Sequence, residues 1–314
     1  MSNKIKSLLK IPSLFLLVSL FLIQCTEKES TAVPLDSIDT KLTANTDLSI
    51  LKAAIIQAKL ETFTKGPGPF TLFAPTNAAL TASGITVASL TTIDSVALTA
   101  FLLNHMQNIK RTSFEIPDGP NAPMASLAGF SNFGYKDKAA DKIFINGATI
   151  TSKDVTCSNG TIHIIDKTLF APAFSISTLL STNSTYKLMV QAITKTALTA
   201  TFSPAAGSPA TIFALDNATM TANGYDSTAI ANLSPAGITT LSNILKYHVI
   251  QSRNFSVALK AGNLKTALGT NVIVSLGMPV SIKGASNTAA FPLVFIDVIA
   301  TNGVIHTIGG MLKP

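Results

Sequence analysis

Apolar residues recur along the chain with two distinct periods, and the switch between them is the first clue to its organisation. In "LSILKAAIIQAKLE", Ile50, Leu51, Ala54, Ile55 and Ala58 fall on one face of a 3.6-residue repeat; Leu188, Met189, Ala192 and Ile193 do the same in "YKLMVQAITKTAL". These stretches predict helices that open each half of the chain. Residues 70–74 and 211–215 read as short buried strands. Each is followed by oxygen-bearing side chains suited to capping a helix: Thr76 and Asn77 after Pro75 in the first, Asp216 and Asn217 in the second. "SVALTAFLLNHM" and "GITTLSNILKYHV" are again helical in period. Beyond them, "KIFINGATITSKDVTCSNGTIHIIDKTLF" and the stretch from Asn271 to the end alternate β-branched residues with turn signals and predict sheet. Asn159-Gly160 and Asn302-Gly303 are dipeptides suited to a tight hairpin turn with positive φ.

The two halves are copies. "FTLFAPTNAAL" is answered by "ATIFALDNATM" with Phe73 against Phe213, an offset of 140 residues. His105 and His163 are answered by His248 and His306 at an offset of 143, so the two histidines of each copy stand 58 residues apart. This period is too long for a solenoid unit of about 20 to 50 residues and predicts two tandem domains of one fold. A length of 314 residues agrees, because each half is large enough to bury its own core.

Composition narrows the class. With 47% apolar and 12% charged residues the chain is globular, and Ser, Thr and Asn are left to wet its surface. Lys4, Lys6 and Lys10 precede an apolar run over 11–23, which is signal-peptide length and too short for a membrane span. Removing these three lysines lowers the formal charge from +7 to +4. The remaining basic residues are scattered, which argues against a nucleic-acid partner. The run ends in "LIQC", which resembles a bacterial lipobox. Residues 1–24 are thus expected to be a signal peptide and Cys25 the lipid-bearing first residue of the mature protein. Residues 25–43 are polar and aperiodic and are expected to form a flexible tether. Thr26 in place of aspartate after that cysteine points to the outer membrane. Cys157, the only other cysteine, reads as a small buried hydrophobe or an idle thiol.

No catalytic pattern stands out. The histidines lack the short spacings of a zinc site and sit among apolar neighbours such as Ile162 and Ile164, which favours neutral core residues over metal ligands. No Gly-x-Ser-x-Gly elbow occurs, and the prolines of "KGPGPF" make it a turn, not a phosphate cradle. A non-catalytic protein without cofactor or metal is the expectation.

Taken together, "TLFAPTNAAL" with "TIFALDNATM", and "NGTIHIIDKTLFAP" with "NGVIHTIGGMLKP", resemble the two conserved boxes of the fasciclin-type domain. The resemblance covers residues 44–172 and 174–314. It implies an α+β fold in which each domain is a small twisted β-sheet wedge packed with several helices, and a role in adhesion to a matrix protein, glycan or envelope partner. The family's Tyr-His region, linked in some animal members to integrin binding, corresponds to Tyr247 and His248; the first copy has Asn104 and His105 there. Tyr247 and His248 are therefore the candidate partner-binding residues. A structural, self-associating envelope component is the alternative role.

Overall fold

A computed structural model describes residues 34–118, 121–205 and 207–314. Cys25, the expected signal peptide and residues 26–33 of the expected tether lie outside the described residues. From Leu35 to Pro314 the chain forms one compact unit made of two copies of a mixed α+β architecture.

The strands of the first copy are β1 (Phe70–Pro75), β2 (Met106–Gln107), β3 (Ala122–Ala125), β4 (Ser131–Asp137), β5 (Lys142–Ile145), β6 (Ala148–Cys157) and β7 (Gly160–Ile165). They form one sheet in the order β2-β1-β7-β6-β5-β4-β3. Those of the second are β8 (Ala210–Ala214), β9 (Val249–Ile250), β10 (Gly262–Lys265), β11 (Asn271–Ser275), β12 (Ser281–Lys283), β13 (Phe291–Ala300) and β14 (Gly303–Ile308). Their order is the counterpart, β9-β8-β14-β13-β12-β11-β10. One short strand in from the edge of each sheet, the first and last strands of the copy run parallel, pairing Phe73 with His163 and Phe213 with His306. Because such a parallel pair needs a long connection, its residues come from opposite ends of the copy. The recurring boxes are therefore sequence-distant and spatially adjacent.

Helices pack against this parallel pair. Leu51, Ala54 and Ile55 of the Ser49–Gln57 helix, and Met189, Ala192 and Ile193 of its counterpart Lys187–Lys195, are buried as their spacing predicts. The caps are also where the sequence puts them. Thr76 Oγ1 accepts from Ala79 N, and Asp216 Oδ1 accepts from Thr219 N. The neighbouring asparagines reach further: Asn77 and Asn217 accept from Ile50 N and Leu188 N, tying the strand exit to the packed helix.

Two expectations need correction. The tether does not extend to residue 43, because Ser37 caps a helix, Ile38–Ala44, whose Ile38 and Leu42 enter the core. The same helix precedes the second copy as Ile176–Thr182. Apolar residues spaced four apart in a polar stretch were too short a signal to stand out in sequence. The Asn-Gly pairs do form the expected β6-β7 and β13-β14 hairpins, but none of the four residues has positive φ. Glycine is required for closeness instead. A Cβ on Gly160 would lie 2.1 Å from Phe70 O, and one on Gly303 2.0 Å from Ala210 O, so any side chain would push the parallel strands apart.

Candidate functional site

All four histidines are fully buried, and both ring nitrogens of each are engaged. His105 and His248 end helices. Their Nδ1–H groups donate to Phe101 O and Ile244 O at 2.9 and 2.8 Å, and their Nε2 atoms accept from Leu169 N and Leu312 N at 2.9 and 3.0 Å. Each thereby ties a helix C-terminus to the chain segment leaving the last strand. Burial pulls both imidazoles down to about 4. His163 and His306 carry the opposite tautomer: Nδ1 accepts from Asp154 N or Asp297 N, and Nε2–H donates to Arg111 O or Asn254 O. Burial lowers these two as well. A neutral ring with one donor and one acceptor already used has no lone pair left for a metal. Among the described residues, no three His, Cys, Asp or Glu side chains converge as ligands.

The geometry nearest to catalytic machinery is a Ser-Asp-His cluster repeated in both copies. Ser113 donates through N and Oγ to the Asp154 carboxylate beside His163; Ser256 does so to Asp297 beside His306, with distances of 2.6 Å to both oxygens. The order of the groups is wrong for activating a nucleophile. The serine proton points at the carboxylate, and the imidazole Nδ1 is occupied by a backbone amide, so no base faces the hydroxyl. Asp154 and Asp297 hold φ of 61° and 63° where β6 and β13 shift register against their partners. The cluster is a clamp on a β-bulge, a device that re-aims the neighbouring side chains.

Tyr247 and His248 do not form a surface. Both are completely buried; the Tyr247 hydroxyl donates to Asn271 O and accepts from Ala285 N, so a partner docking on the folded chain would touch neither. Asn104, the first-copy counterpart, is equally buried and bonded to Leu169 O and Ser126. The apolar period of the helix ending at Tyr247 already places that position inward. Cys157 is buried too, and burial raises its thiol.

Exposed chemistry lies elsewhere, on residues that sequence reading did not single out. Around the second bulge Val294, Phe295, Ile296 and Val298 all face solvent, Phe295 at 65% exposure. The β11–β12 loop, tied to this stretch by Leu293 N donating to Val280 O, adds the exposed Leu276 and Met278. At an offset of 143 the first copy has Thr151, Ser152, Lys153 and Val155 at the same bulge. Only the second copy makes an apolar ridge. The ridge adjoins the junction of the copies, where Lys167 approaches Asp297 at 3.7 Å and Phe133 packs 6.5 Å from Phe255. There the Arg253 guanidinium lies 4.0 Å from the Phe133 ring centroid while donating to Ala300 O, Thr301 O and Gly303 O. Asn121 Nδ2 donates to Arg253 O across the same junction.

Comparison with known sequences settles the family. The profile described as "Fasciclin domain" matches residues 46–172 and again 184–314. The chain belongs to the fasciclin domain family. It is 35% identical over 156 residues to Protein sll1483 of Synechocystis sp., covering 47% of this chain and 83% of that protein. It is 26% identical over 262 residues to the transforming growth factor-beta-induced protein ig-h3 of Sus scrofa, and 34% identical over 134 residues to human periostin. Of ig-h3 the chain spans only 36%, though the match uses 82% of the chain; for periostin the shares are 16% and 42%. Among solved structures, a FAS1 domain pair from the insect cell adhesion molecule Fasciclin I aligns with a TM-score of 0.42 and 17% identity, covering 88% of this chain and 96% of the other.

Proposed function

We infer that this fasciclin-domain protein acts by binding, as an exported adhesion protein held at a bacterial membrane through a lipid on Cys25, with a protein or glycan as its partner. The observation that carries the reading is the apolar ridge at Val294, Phe295 and Ile296. Large side chains exposed together on one strand are the usual mark of an interaction surface, and the sibling copy shows that the same bulge accommodates Thr, Ser and Lys. The engagement of all four histidines supports a non-catalytic role. No helix among the described residues is long and apolar enough to cross a membrane. The lipid on Cys25 is the attachment that the lipobox-like "LIQC" supports.

The test uses the chain from Thr26 onward, which contains the whole folded unit. Its binding to immobilised matrix proteins, glycans and envelope fractions is compared with that of V294T/F295S/I296K, which carries the first copy's residues at these positions. Saturable binding weakened at least about tenfold in the folded variant supports adhesion through the ridge. Equal binding by both chains removes the ridge from the interface. The ridge carries no exposed charge to keep two copies apart, so the second reading is self-association. A mass in sedimentation that rises with concentration, together with no foreign partner, would select it. Incorporation of labelled fatty acid that persists in C25A would overturn the lipid anchor.

A further inference from the structure

The second copy contains a cleft where the first is filled by an ion pair. In the first copy Lys52 and Asp39 pair beside Thr64, whose Oγ1 donates to Asp39 Oδ1 at 3.1 Å, and the two charged side chains are only 17% and 19% exposed. The helices carrying these residues recur at an offset of 138, shown by Ile38 N and Ile176 N donating to Asn159 and Asn302. At that offset the second copy has Ser177 for Asp39, Val190 for Lys52 and Phe202 for Thr64, and Thr199 replaces Glu61 as well. No ionisable side chain lines what remains, a cleft of about 220 Å³ between the helices Ile176–Thr182, Lys187–Lys195 and Thr199–Phe202, open to solvent on the side of Ser181, Thr194 and Thr199.

Its lining has a definite polarity. Leu180, Val190, Ile193 and Phe202 supply an apolar wall, and hydroxyls of Ser177, Ser181 and Thr194 stand among them. Ser181 Oγ donates to Thr178 O and Thr194 Oγ1 to Val190 O, so their protons are committed and they present lone pairs. A complementary ligand brings an apolar body and one hydrogen-bond donor, and carries no charge, because nothing here would offset the desolvation of an ion. In size it exceeds benzene, which occupies an apolar cavity of about 150 Å³ in another protein.

We propose that this cleft is a binding site of the second copy for a small, uncharged molecule with an apolar ring or branched body and a hydroxyl donor. The site is separate from the ridge and does not depend on the adhesion reading. Phenol is the probe, followed through methyl resonances of the chain from Thr26 onward. Saturable shifts confined to Leu180, Val190 and Ile193 are expected, with weaker binding by anisole, which lacks the donor, and none by benzoate.

Two variants keep the outcome readable. S177D/V190K installs the first copy's charged pair, and V190F fills the space with a ring. Whichever of them keeps the native amide spectrum should bind phenol at least about tenfold more weakly. The proposal falls if phenol gives no saturable shift, if the shifts centre on other methyls, if a folded variant binds phenol as well as the parent, or if benzoate binds as tightly as phenol.

Discussion

Lowering the pH from 7.5 to 5.0 should destabilise both copies through the histidines that end their helices. His105 and His248 titrate at about 4 in the folded chain, against about 6.5 when unfolded, because burial disfavours the imidazolium and the Nε2 lone pair is used by Leu169 N or Leu312 N. The unfolded chain therefore binds protons first. The contribution of each histidine is fully present above about pH 6.5 and is lost progressively as the pH falls towards about 4. Linkage over that interval gives a loss of about 2 kcal/mol per histidine at pH 5, and His163 and His306, shifted in the same direction, add to it. Asp39 and Asp154 do not confuse the window: burial raises both carboxyls, but hydrogen bonds from Lys52 and Thr64 to the first and from Ser113 to the second, together with nearby lysine charges, outweigh it and hold both below their usual value, so their contribution disappears only at lower pH. Urea titrations at pH 7.5, 6.0 and 5.0 should show the midpoint falling by about 1 M for a domain of ordinary urea sensitivity. H105Q should flatten the slope of the first copy, even though it lowers stability at pH 7.5. Ring ¹⁵N spectra should report Nδ1–H for His105 and His248 and Nε2–H for His163 and His306. A ring titrating near 6.5 in the folded chain, or a stability unchanged between pH 7.5 and 5, would refute the reasoning.

Two further outcomes follow from the tertiary contacts. Asn302→Ala strips a partner from Ile176 N and from Pro204 O, and Asn159→Ala does the same to Ile38 N, Thr64 O and Gly66 O; each should cost about 3 kcal/mol in urea unfolding, and a loss below about 1 kcal/mol would show that these bonds do not anchor the helices. Arg253→Lys gives up the planar stack on Phe133 and most of the fork to three carbonyls, so calorimetry should show the two copies unfolding in more widely separated steps, whereas an unchanged profile would mean the junction does not couple them.

Local chemistry is what the sequence by itself determined. Apolar period, cap residues and the repeat at 140 to 143 residues each depend on near neighbours or on internal comparison, and they placed the helices, the first and last strands of each copy, the two copies and the core histidines. The α+β class and the family followed from the same boxes. What sequence could not convey depends on tertiary contacts between separate segments of the chain. Asn159 and Asn302 look like turn residues, yet their side chains cap helices 121 and 126 positions upstream. Gly160 and Gly303 look like hairpin glycines, yet they are needed because a parallel neighbour passes within contact of where a Cβ would stand. Tyr247 matched a family binding motif, but its position on the inner face of a helix beneath the sheet leaves it inaccessible. The ridge was hidden for the converse reason. Alternation predicts that half the residues of β13 face inward, and only the bulge clamped by Asp297, Ser256 and His306 turns three consecutive apolar side chains out to solvent.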